Sequence, residues 1–563
     1  MMGNVTLLEF LSVGRPVAGH RPWPRYQLDA AGWRRLAEQM TVSNWEILAE
    51  WGEPAEVHVL LRGEDSGTIA VASHLCPDGA FFALGQVRPA AIRLERAIRD
   101  LWGLVPEGLE DQRPWLDHGA WGVSHPLGRP RRYDGPRRPY HFLSAEGEGL
   151  HQIPVGPVHA GVIEPGHFRF HCQGETVVRL EERLGYTHKG IAGLVTGKPI
   201  AEAARIVGRV SGDATVAYAV AFARAVEAAL GLEIPARAHW LRALLAELER
   251  IANHLFDVGA ICNDAAFAIM LSHMGVLRER MLAVHQSLFG HRLLMDRVVP
   301  GGVAVDIDDT DRKVITRLLH DLRKGVRKAS ALYDQTPSLL DRTTGTGVLS
   351  GTLAHRFGVS GFVGRASSRA VDARRMPGYP PYDDLDFTVP VLAEGDVHAR
   401  LQIRLAEIRE SLLLIEQILA RLPAGETRVP LPLRAGEGVA LVESFRGEVA
   451  VWVRVTETGK VARCHPHDPS WFQWPLLEAA RSTPPTPATP PPPPPHLRTP
   501  HWGTGGNWGL APAWAARWPS ARSTPVHAMA ASWRFTPSTP PSTTWSASAS
   551  SSSPAPATPT CCW

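Results

Sequence analysis

The sequence contains few cysteines, and none of them is paired in the way that a metal site or a disulfide scaffold requires. No Cys-x-x-Cys spacing occurs anywhere in the 563 residues. The six cysteines are scattered: Cys76, Cys172, Cys262, Cys464, Cys561 and Cys562. This arrangement argues against a disulfide framework and a zinc site, and it favours a reducing, cytosolic compartment.

Targeting and membrane-spanning patterns are also missing. The first residues, MMGNVTLLEFLSVGRPVAGHRPWPRY, have no basic stretch followed by an uninterrupted apolar core, so no signal peptide is predicted. The most apolar stretch, Val216 to Leu232, is interrupted by Arg224 and Glu227 and is too short for a membrane span. We therefore expect a protein that is soluble, or peripheral to a membrane through a partner.

A strong charge of either sign is absent as well. The chain has 59 basic and 56 acidic residues, which gives a formal net charge of +3. No global electrostatic field therefore points to nucleic acid or to an acidic ligand as a partner. The length is sufficient for two to four domains with a large buried core.

The last part of the chain lacks acidic residues, lysine and isoleucine altogether. Residues 482–563 contain none of these, yet they hold 19 of the 48 prolines and 7 of the 18 tryptophans. Disordered natural tails are usually poor in tryptophan, so this mixture is unusual even for a low-complexity segment. Two interpretations stay open: a Pro-rich recognition tail, or out-of-frame translation after a frameshift in a GC-rich gene. Under either interpretation we predict residues 481–563 to be a disordered tail that carries no chemistry.

The rest of the sequence indicates an α+β fold. Residues 1–130 mix strand-like runs, such as Glu56–Arg62, with a helix predicted from Pro89 to Trp102, which indicates a small α/β domain. Residues 131–150 form a linker rich in proline, arginine and glycine. Residues 151–480 are predicted to be a mainly helical domain with small β segments: a small sheet from His151 to Val178, long helices from 199 to about 335, a last long helix over Asp396–Arg421, and a strand over Glu448–Val455.

Three groups of polar residues interrupt this pattern. His159 and His167 lie between Gly/Pro turns, a spacing more typical of hydrogen-bonded turn histidines than of ligands. His188 and Lys189 form a cationic corner before a predicted helix.

The third group lies on a single predicted helix. Arg250, His254 and Asp257 are spaced by four and three residues, so a cation, an imidazole and a carboxylate share one helix face. Such a face either forms a buried polar network against another helix or lines a site, and the spacing leaves both interpretations open.

Several motifs, taken in order, carry a resemblance to a known family. They are His159–Gly161, Glu164–Arg169, Tyr186–Gly190, Glu247–His254, Asp296–Gly302, Asp341–Gly347, Ser360–Gly361, Tyr382 with Asp386–Phe387, Gly395–Asp396 and Pro423–Glu426. Together they resemble the family that joins [NiFe]-hydrogenase large subunits to the quinone-site (D-type) subunit of NADH-quinone oxidoreductase (complex I). The Glu164–Arg169 variant is closer to hydrogenase-4 component G and the formate hydrogenlyase large subunit. The stretch Glu95–Leu127 is similar to the C-type subunit of complex I, so over roughly residues 90–480 the chain resembles a C/D fusion.

The resemblance implies a missing metal site. In the hydrogenase members, two Cys-x-x-Cys pairs hold nickel and iron, because thiolates suit soft, redox-active metals. Aligned on Arg209-Val210 and Gly212, the first pair falls at Ser211 and Ala214, and the second pair falls beyond Ala480. Serine is a poor ligand for nickel and alanine is none, so we expect no metal at these degenerate ligand positions.

The same resemblance implies an incomplete quinone site. The D-type respiratory subunits have a histidine and a tyrosine that hydrogen-bond the quinone, and these positions align here with Ile163 and Gly212. The groups that remain resemble those facing the terminal iron–sulfur cluster of a neighbouring subunit, where cations tune the potential and couple reduction to protonation. These cluster- or quinone-facing candidates are His159, His188, Lys189, Arg250, His254 and Asp257.

The sequence therefore predicts an oxidoreductase subunit of the NADH-quinone oxidoreductase or hydrogenase-4 type, without a [NiFe] centre. The resemblance implies that the chain itself binds no cofactor, that a partner subunit holds a [4Fe-4S] cluster, and that NAD(H) is reached only through the wider complex. It implies as partners a small iron–sulfur subunit, a ferredoxin-like subunit and integral membrane subunits, on the cytoplasmic side of the inner membrane, and no nucleic acid. Three alternatives stay open: an active [NiFe] hydrogenase, a quinone reductase with non-standard donors, and a structural assembly subunit.

Overall fold

The computed structural model of the chain describes residues 5–63, 67–157, 165–174 and 176–480. Helices and strands are mixed within these ranges, which confirms the predicted fold class in its coarse form. The predicted tail at 481–563 and the candidate residue His159 lie outside the described residues. The division into domains at residues 130 and 150 remains a prediction.

The first 110 residues form a sheet with helices packed on it. The elements of this region are β1 (Arg15–Pro16), β2 (His20–Arg21), β3 (Arg25–Leu28), β4 (Glu46–Glu53), β5 (Glu56–Arg62), β6 (Ile69–Leu75), β7 (Ala80–Phe82), β8 (Val105–Glu107), α1 (Leu7–Leu11), α2 (Ala30–Val42) and α3 (Ile92–Trp102). Five strands form one sheet in the order β1-β3-β6-β5-β4, in which only the β3–β6 pair is parallel. The helix predicted from Pro89 to Trp102 is present as one 3-10 turn, Pro89–Ala91, followed by α3.

Both faces of this sheet are buried, and they pack against different parts of the chain. On β5, Val57, Val59 and Leu61 belong to the core that α2 and α3 share. Leu60, between them, belongs to the core of the later helices. Successive side chains of a strand point to opposite faces, so Leu60 faces away from Val59 and Leu61. The N-terminal sheet is therefore packed onto the rest of the chain.

A small antiparallel sheet follows, close to where the sequence predicted one. Two short strands, β9 (Val123–Ser124) and β10 (Arg131–Arg132), pair with each other before it. The sheet itself consists of β11 (Leu150–Val155), β12 (His167–Gln173) and β13 (Thr176–Arg183), in that order. The sheet predicted from His151 to Val178 is thus confirmed, with its last strand extending five residues further.

Long helices then pack into a bundle. In chain order these helices, and two short strands among them, are α4 (Ile191–Val195), α5 (Ile200–Val207), α6 (Thr215–Leu230), α7 (Ala236–Asp264), α8 (Ala268–Phe289), β14 (Val298–Val299), β15 (Gly302–Val303), α9 (Asp309–Asp334), α10 (Pro337–Thr343), α11 (Gly351–Arg356), α12 (Gly361–Arg365) and α13 (Val397–Arg421). Helix α7 packs against both α8 and α13. The predicted helix Asp396–Arg421 is confirmed as α13, whose first residue follows the N-cap Asp396; the side chain of Asp396 accepts a hydrogen bond from the N–H of Ala399.

A three-stranded antiparallel unit and a short helix close the described part of the chain. They are β16 (Gly436–Glu443), β17 (Glu448–Val455), β18 (Val461–His467) and α14 (Ser470–Ala479). The predicted strand Glu448–Val455 is confirmed as β17, and β2 from the N-terminal region adds to the edge of this sheet parallel to β16. Helix α6 lies directly on β16 and β17, and the turn between these two strands therefore approaches the segment that precedes α6.

No helix in the described ranges combines the length and the apolar character that crossing a membrane requires.

Candidate functional site

The segment 209–214 connects α5 to α6 and contains Ser211 and Ala214, the two positions predicted from the sequence to be degenerate ligand positions. Ala214 is the N-cap residue of α6 and has no side chain that can accept the free N–H groups of the first turn. The carboxylate of Glu249, on α7, accepts them instead, from Val216 N at 2.6 Å and from Ala217 N at 3.0 Å. Burial raises the pKa of Glu249 to about 8. The start of α6 is thus stabilised by a carboxyl group that titrates close to neutral pH.

The hydroxyl of Ser211 is held in a buried cluster. Ser211 Oγ donates a hydrogen bond to Asp213 Oδ1 at 2.5 Å. The guanidinium of Arg446, in the turn between β16 and β17, donates to Ser211 Oγ at 3.2 Å and to Asp213 Oδ2 at 2.5 Å. All three side chains are buried, and Asn253 also donates to the backbone oxygen of Asp213. We call this group the Ser211–Asp213–Arg446 cluster; it combines an ion pair with charge-assisted hydrogen bonds.

The donors in this segment do not fit a [NiFe] centre. Ser211 and Ala214 contribute no sulfur, and the Ser211 hydroxyl is already bonded to a carboxylate and a guanidinium. The cysteines of the described residues lie elsewhere in the core, at Cys76, Cys172, Cys262 and Cys464. Burial raises the pKa of Cys76 and Cys262 to about 12, which disfavours the thiolate form that binds metal.

The candidates His188 and Lys189 contact this segment differently. Lys189 Nζ donates hydrogen bonds to the carbonyl oxygens of Arg209 at 2.7 Å and Val210 at 3.0 Å. The ring of His188 stacks on Trp121, with centroids 6.0 Å apart, and burial lowers the pKa of His188 to about 4. Lys189 therefore fixes the backbone just before Ser211, whereas His188 is neutral at pH 7.

Arg250 connects α7 to the turn that carries Arg446. Its guanidinium donates to the carbonyl oxygens of Ser444 and Glu443, each at 2.9 Å, and its Nε lies 3.3 Å from a carboxylate oxygen of Glu247. The Arg250 side chain is fully buried. It thereby positions the β16–β17 turn, and with it the Ser211–Asp213–Arg446 cluster.

His254 and Asp257 face α13 rather than a cavity. His254 Nε2 is 2.8 Å from Glu407, and Asp257 pairs with Arg404 at 3.2 Å. Burial lowers the pKa of His254 to about 4 and raises that of Asp257 to about 6. Burial opposes ionisation of Glu407, yet Arg365 and His254 hold its pKa well below the usual value. Of the two interpretations left open by the sequence, these contacts favour a buried polar network.

A second cluster has metal-like composition but is already paired with arginines. Glu53, Glu56 and His58 bring ligand atoms within 4.8 Å of one another. Both oxygens of Glu53 accept hydrogen bonds from Arg454 at 2.8 Å, and Glu56 accepts one from Arg25 at 2.5 Å. The guanidinium groups provide the positive charge that a cation would provide, so we interpret this cluster as a network of ion pairs.

Sequence reasoning missed Asp213, Glu249, Glu407 and Arg446. Arg446 precedes a glycine between two strand-like runs, which marks a hairpin turn but not a partner. Its partner Ser211 is 235 residues away in sequence. No local pattern connects residues that only tertiary packing brings together.

Two family models match the chain. "Nickel-dependent hydrogenase" matches residues 189–258, and "Respiratory-chain NADH dehydrogenase, 49 Kd subunit" matches residues 257–434. The matched ranges contain the segment 209–214 and the α7 residues Arg250, His254 and Asp257. They confirm the resemblance inferred from the sequence motifs.

Individual relatives agree with these models. The carbon monoxide-induced hydrogenase of Rhodospirillum rubrum is 34% identical over 329 residues, which are 58% of this chain and 91% of that protein. Hydrogenase-4 component G of Escherichia coli (strain K12) is 31% identical over 405 residues, 69% of each protein. The C/D subunit of the NADH-quinone oxidoreductase of Bdellovibrio bacteriovorus is 28% identical over 387 residues, 66% of this chain and 68% of that protein. The chain therefore belongs to the family of oxidoreductase subunits that joins the nickel-dependent hydrogenases to the 49 kDa subunit of respiratory-chain NADH dehydrogenase.

Proposed function

We propose that this chain is the fused C/D-type large subunit of a membrane-associated, complex-I-like or hydrogenase-4-like oxidoreductase complex. Residues 1–130 correspond to the C-type part of the fusion and residues 151–480 to the D-type part. The chain faces an iron–sulfur cluster of a partner subunit, links electron transfer to membrane partners, and forms no [NiFe] centre at residues 211–214. The names of its relatives, subunits of hydrogenases and of an NADH-quinone oxidoreductase, support this class of complex.

The observation that carries the proposal is the Ser211–Asp213–Arg446 cluster. A guanidinium stays protonated in proteins, so Arg446 brings a permanent positive charge next to the degenerate ligand positions. Asp213 balances that charge at 2.5 Å. A pair of cationic metals at the same place would require thiolate charge, which Ser211 and Ala214 do not provide.

We assign the chain's part in coupling to buried carboxyl groups that titrate near pH 7. Burial places the pKa of Asp257 at about 6 and that of Glu249 at about 8. Burial and Asp372 raise the pKa of Glu443 to about 7, and Arg250 holds the backbone oxygen of that residue. Groups in this range change protonation when a nearby charge changes, so reduction of the neighbouring cluster is accompanied by proton uptake on this chain.

The quinone alternative has less support. Gly212 offers no side-chain hydrogen-bond donor at the position of the expected tyrosine. The tyrosine of α6, Tyr218, is fully buried and donates to Asp468 at 2.5 Å. A quinone reductase would need another donor in place of these groups.

Metal analysis and redox titration of the purified complex test the proposal together. We expect no nickel, and a midpoint potential of the partner's cluster that falls by about 59 mV per pH unit between pH 6 and 8, the value for one proton per electron. Asp257→Asn removes a titrating group and is expected to flatten this dependence. Asp309→Asn, a change at an exposed carboxylate, is the matched control and is expected to leave the dependence unchanged.

The outcomes separate the alternatives. Stoichiometric nickel would support an active hydrogenase and contradict the absence of a [NiFe] centre. An unchanged pH dependence in Asp257→Asn would contradict the coupling role assigned to Asp257. A purely structural role predicts that Lys189→Ala and His254→Ala leave turnover unchanged, while deletion of the chain disperses the complex.

A further inference from the structure

Helix α9 concentrates positive charge. Between Arg312 and Lys328 it carries seven basic residues and a single acidic one, Asp321. The formal net charge of the whole chain is only +3. The charge of α9 is therefore a local feature of this helix rather than a property of the molecule.

The basic residues lie on the solvent face of an amphipathic helix. The opposite face buries apolar side chains at helical spacing, among them Ile315, Leu318, Leu322 and Val326. This face packs against α8 and α13. The orientation of α9 is thus fixed by its core contacts, and its polar face is directed outward.

Four of the cations form a stripe along this outer face. Lys313, Arg317, Lys324 and Arg327 are all exposed and follow one another at intervals of four, seven and three residues, which place them on one side of the helix. At 1.5 Å per residue the stripe is roughly 20 Å long. We call these four residues the basic stripe.

The basic stripe is not neutralised by the described part of the chain. Among residues 5–63, 67–157, 165–174 and 176–480, no ion pair involves any of its four cations, whereas two arginines of the same helix are paired: Arg312 with Asp309 and Arg323 with Glu416. The basic stripe, which contains neither of these two paired arginines, is therefore a row of positive charges without an ion-pair partner among the described residues. Such a row attracts an extended anionic surface more strongly than a single anion.

The composition of the outer face indicates which anionic surface fits. Protein interfaces are centred on apolar or aromatic anchors. No large apolar side chain of α9 is exposed. A bilayer with anionic headgroups requires no such anchor, because each lysine or arginine near its surface increases partitioning by roughly fivefold through electrostatics alone.

We infer that the basic stripe lies against the headgroups of an anionic lipid membrane. The inference rests on the proposed function for the presence of a membrane close to the chain, and it deepens that function by naming the surface that contacts the lipid. The contact is peripheral, since α9 presents cations and no apolar face to the bilayer. It orients the helical bundle relative to the membrane partners.

Vesicle co-sedimentation of the purified full-length chain tests this inference. Vesicles of 30% phosphatidylglycerol in phosphatidylcholine are compared with vesicles of phosphatidylcholine alone, at low salt and at 0.5 M salt. We expect binding only to the anionic vesicles, and loss of binding at high salt because the screening length shortens. The quadruple variant Lys313→Gln, Arg317→Gln, Lys324→Gln, Arg327→Gln is expected to bind at least about a hundredfold more weakly.

A charge-matched variant serves as the control. Arg35→Gln, Arg129→Gln, Arg131→Gln and Arg137→Gln remove the same net charge from exposed positions outside α9, and we expect binding within a few-fold of the unmodified chain. Circular dichroism melting confirms that both variants are folded; glutamine preserves helix propensity.

Two results would overturn the inference: no binding of the unmodified chain to anionic vesicles at low salt, or an equal loss in the control. A lack of binding to anionic vesicles would instead favour an acidic protein as the partner of the basic stripe. The assay needs no electron transfer, so a negative result leaves the redox titration of the proposed function unaffected, and failure of that titration leaves the vesicle result valid.

Discussion

Asp213 is the carboxylate that balances the buried guanidinium of Arg446 beside Ser211. Asp213→Asn removes this charge from the buried ion pair with Arg446; breaking a buried pair from one side costs about 3–5 kcal/mol. We expect the free energy of unfolding to fall by this amount in urea denaturation. Arg292→Gln, which breaks the exposed pair with Glu279, is the control and is expected to cost at most about 1 kcal/mol. Equal losses of unfolding free energy in the two variants would show that the buried cluster contributes no more to stability than an exposed ion pair.

Buried histidines make the stability of the fold depend on pH. Burial lowers the pKa of His254 to about 4, and burial lowers the pKa of His465 and His467 to about 3. In the unfolded chain a histidine titrates near 6.5, so between these values the unfolded state binds more protons than the folded state. The corresponding stability is present in full above pH 6.5, and it is lost as the pH falls toward 4 for His254 and toward 3 for His465 and His467.

His467 allows this dependence to be measured for one group. Neither of its ring nitrogens has a hydrogen-bond partner among the described residues, so protonation gains nothing in the folded state. We expect His467→Gln to reduce the slope of unfolding free energy between pH 6 and 4 by about 1.4 kcal/mol per pH unit. Urea denaturation at several pH values measures the slope, and His273→Gln, at an exposed position, is the control. An identical slope in His467→Gln and the unmodified chain would contradict the assignment.

Some residue-level features follow from the sequence and others do not. The common face of Arg250, His254 and Asp257 follows from helical spacing, and it is observed along α7. The partners of that face, such as Glu407, lie on a helix about 150 residues later, so spacing could suggest a polar network but could not identify it. The same limit applies to Arg446, whose role depends entirely on how the β16–β17 turn packs against the start of α6.

At the scale of elements, the contact between α6 and β16 depends on glycine. A Cβ atom at Gly438 would lie 2.2 Å from the carbonyl oxygen of Ala225 in α6. Neither backbone can move without separating the helix from the sheet, so we expect Gly438→Ala to destabilise the fold by about 2–3 kcal/mol. Thermal unfolding measures the effect.

The control for that substitution is a glycine with free space around it. A Cβ at Gly275, inside α8, would meet nothing within 4 Å. Gly275→Ala is therefore expected to be neutral or to stabilise the fold by up to about 1 kcal/mol, because alanine favours helix. A similar loss in both variants would mean that the close approach of α6 to β16 is not the cause.

Elements with strong local signals were predictable from sequence. The helix α13 has an aspartate N-cap and a regular apolar period, and β17 has valine at every second position, so both were predicted within one residue. The parallel pairing of β2 with β16 was not predicted. It joins His20 to Glu437, and a two-residue strand has too little local pattern to indicate its partner.

At the scale of the whole molecule, the N-terminal sheet and the β16–β18 unit share a buried interface. Arg62 is paired with Glu448 and with Glu46, which are 386 and 16 residues away in sequence. Trp51 packs on Trp452, with ring centroids 5.4 Å apart. Composition predicts a linker at 131–150 but does not indicate this interface, because a boundary in the sequence does not require a boundary in space.

Cleavage of the linker tests whether that interface holds the two parts together. With a protease site inserted between Glu146 and Gly147, we expect the two fragments to co-elute after cleavage in size-exclusion chromatography. Arg62→Met leaves the buried carboxylate of Glu448 without this partner, which costs about 3–5 kcal/mol and should weaken the association of the fragments at least about a hundredfold. Arg132→Met, which breaks an exposed pair with Asp134, is expected to leave the association unchanged. Separation of the unmodified fragments would instead mean that the linker holds the parts together, and that residues 1–130 are an independent domain.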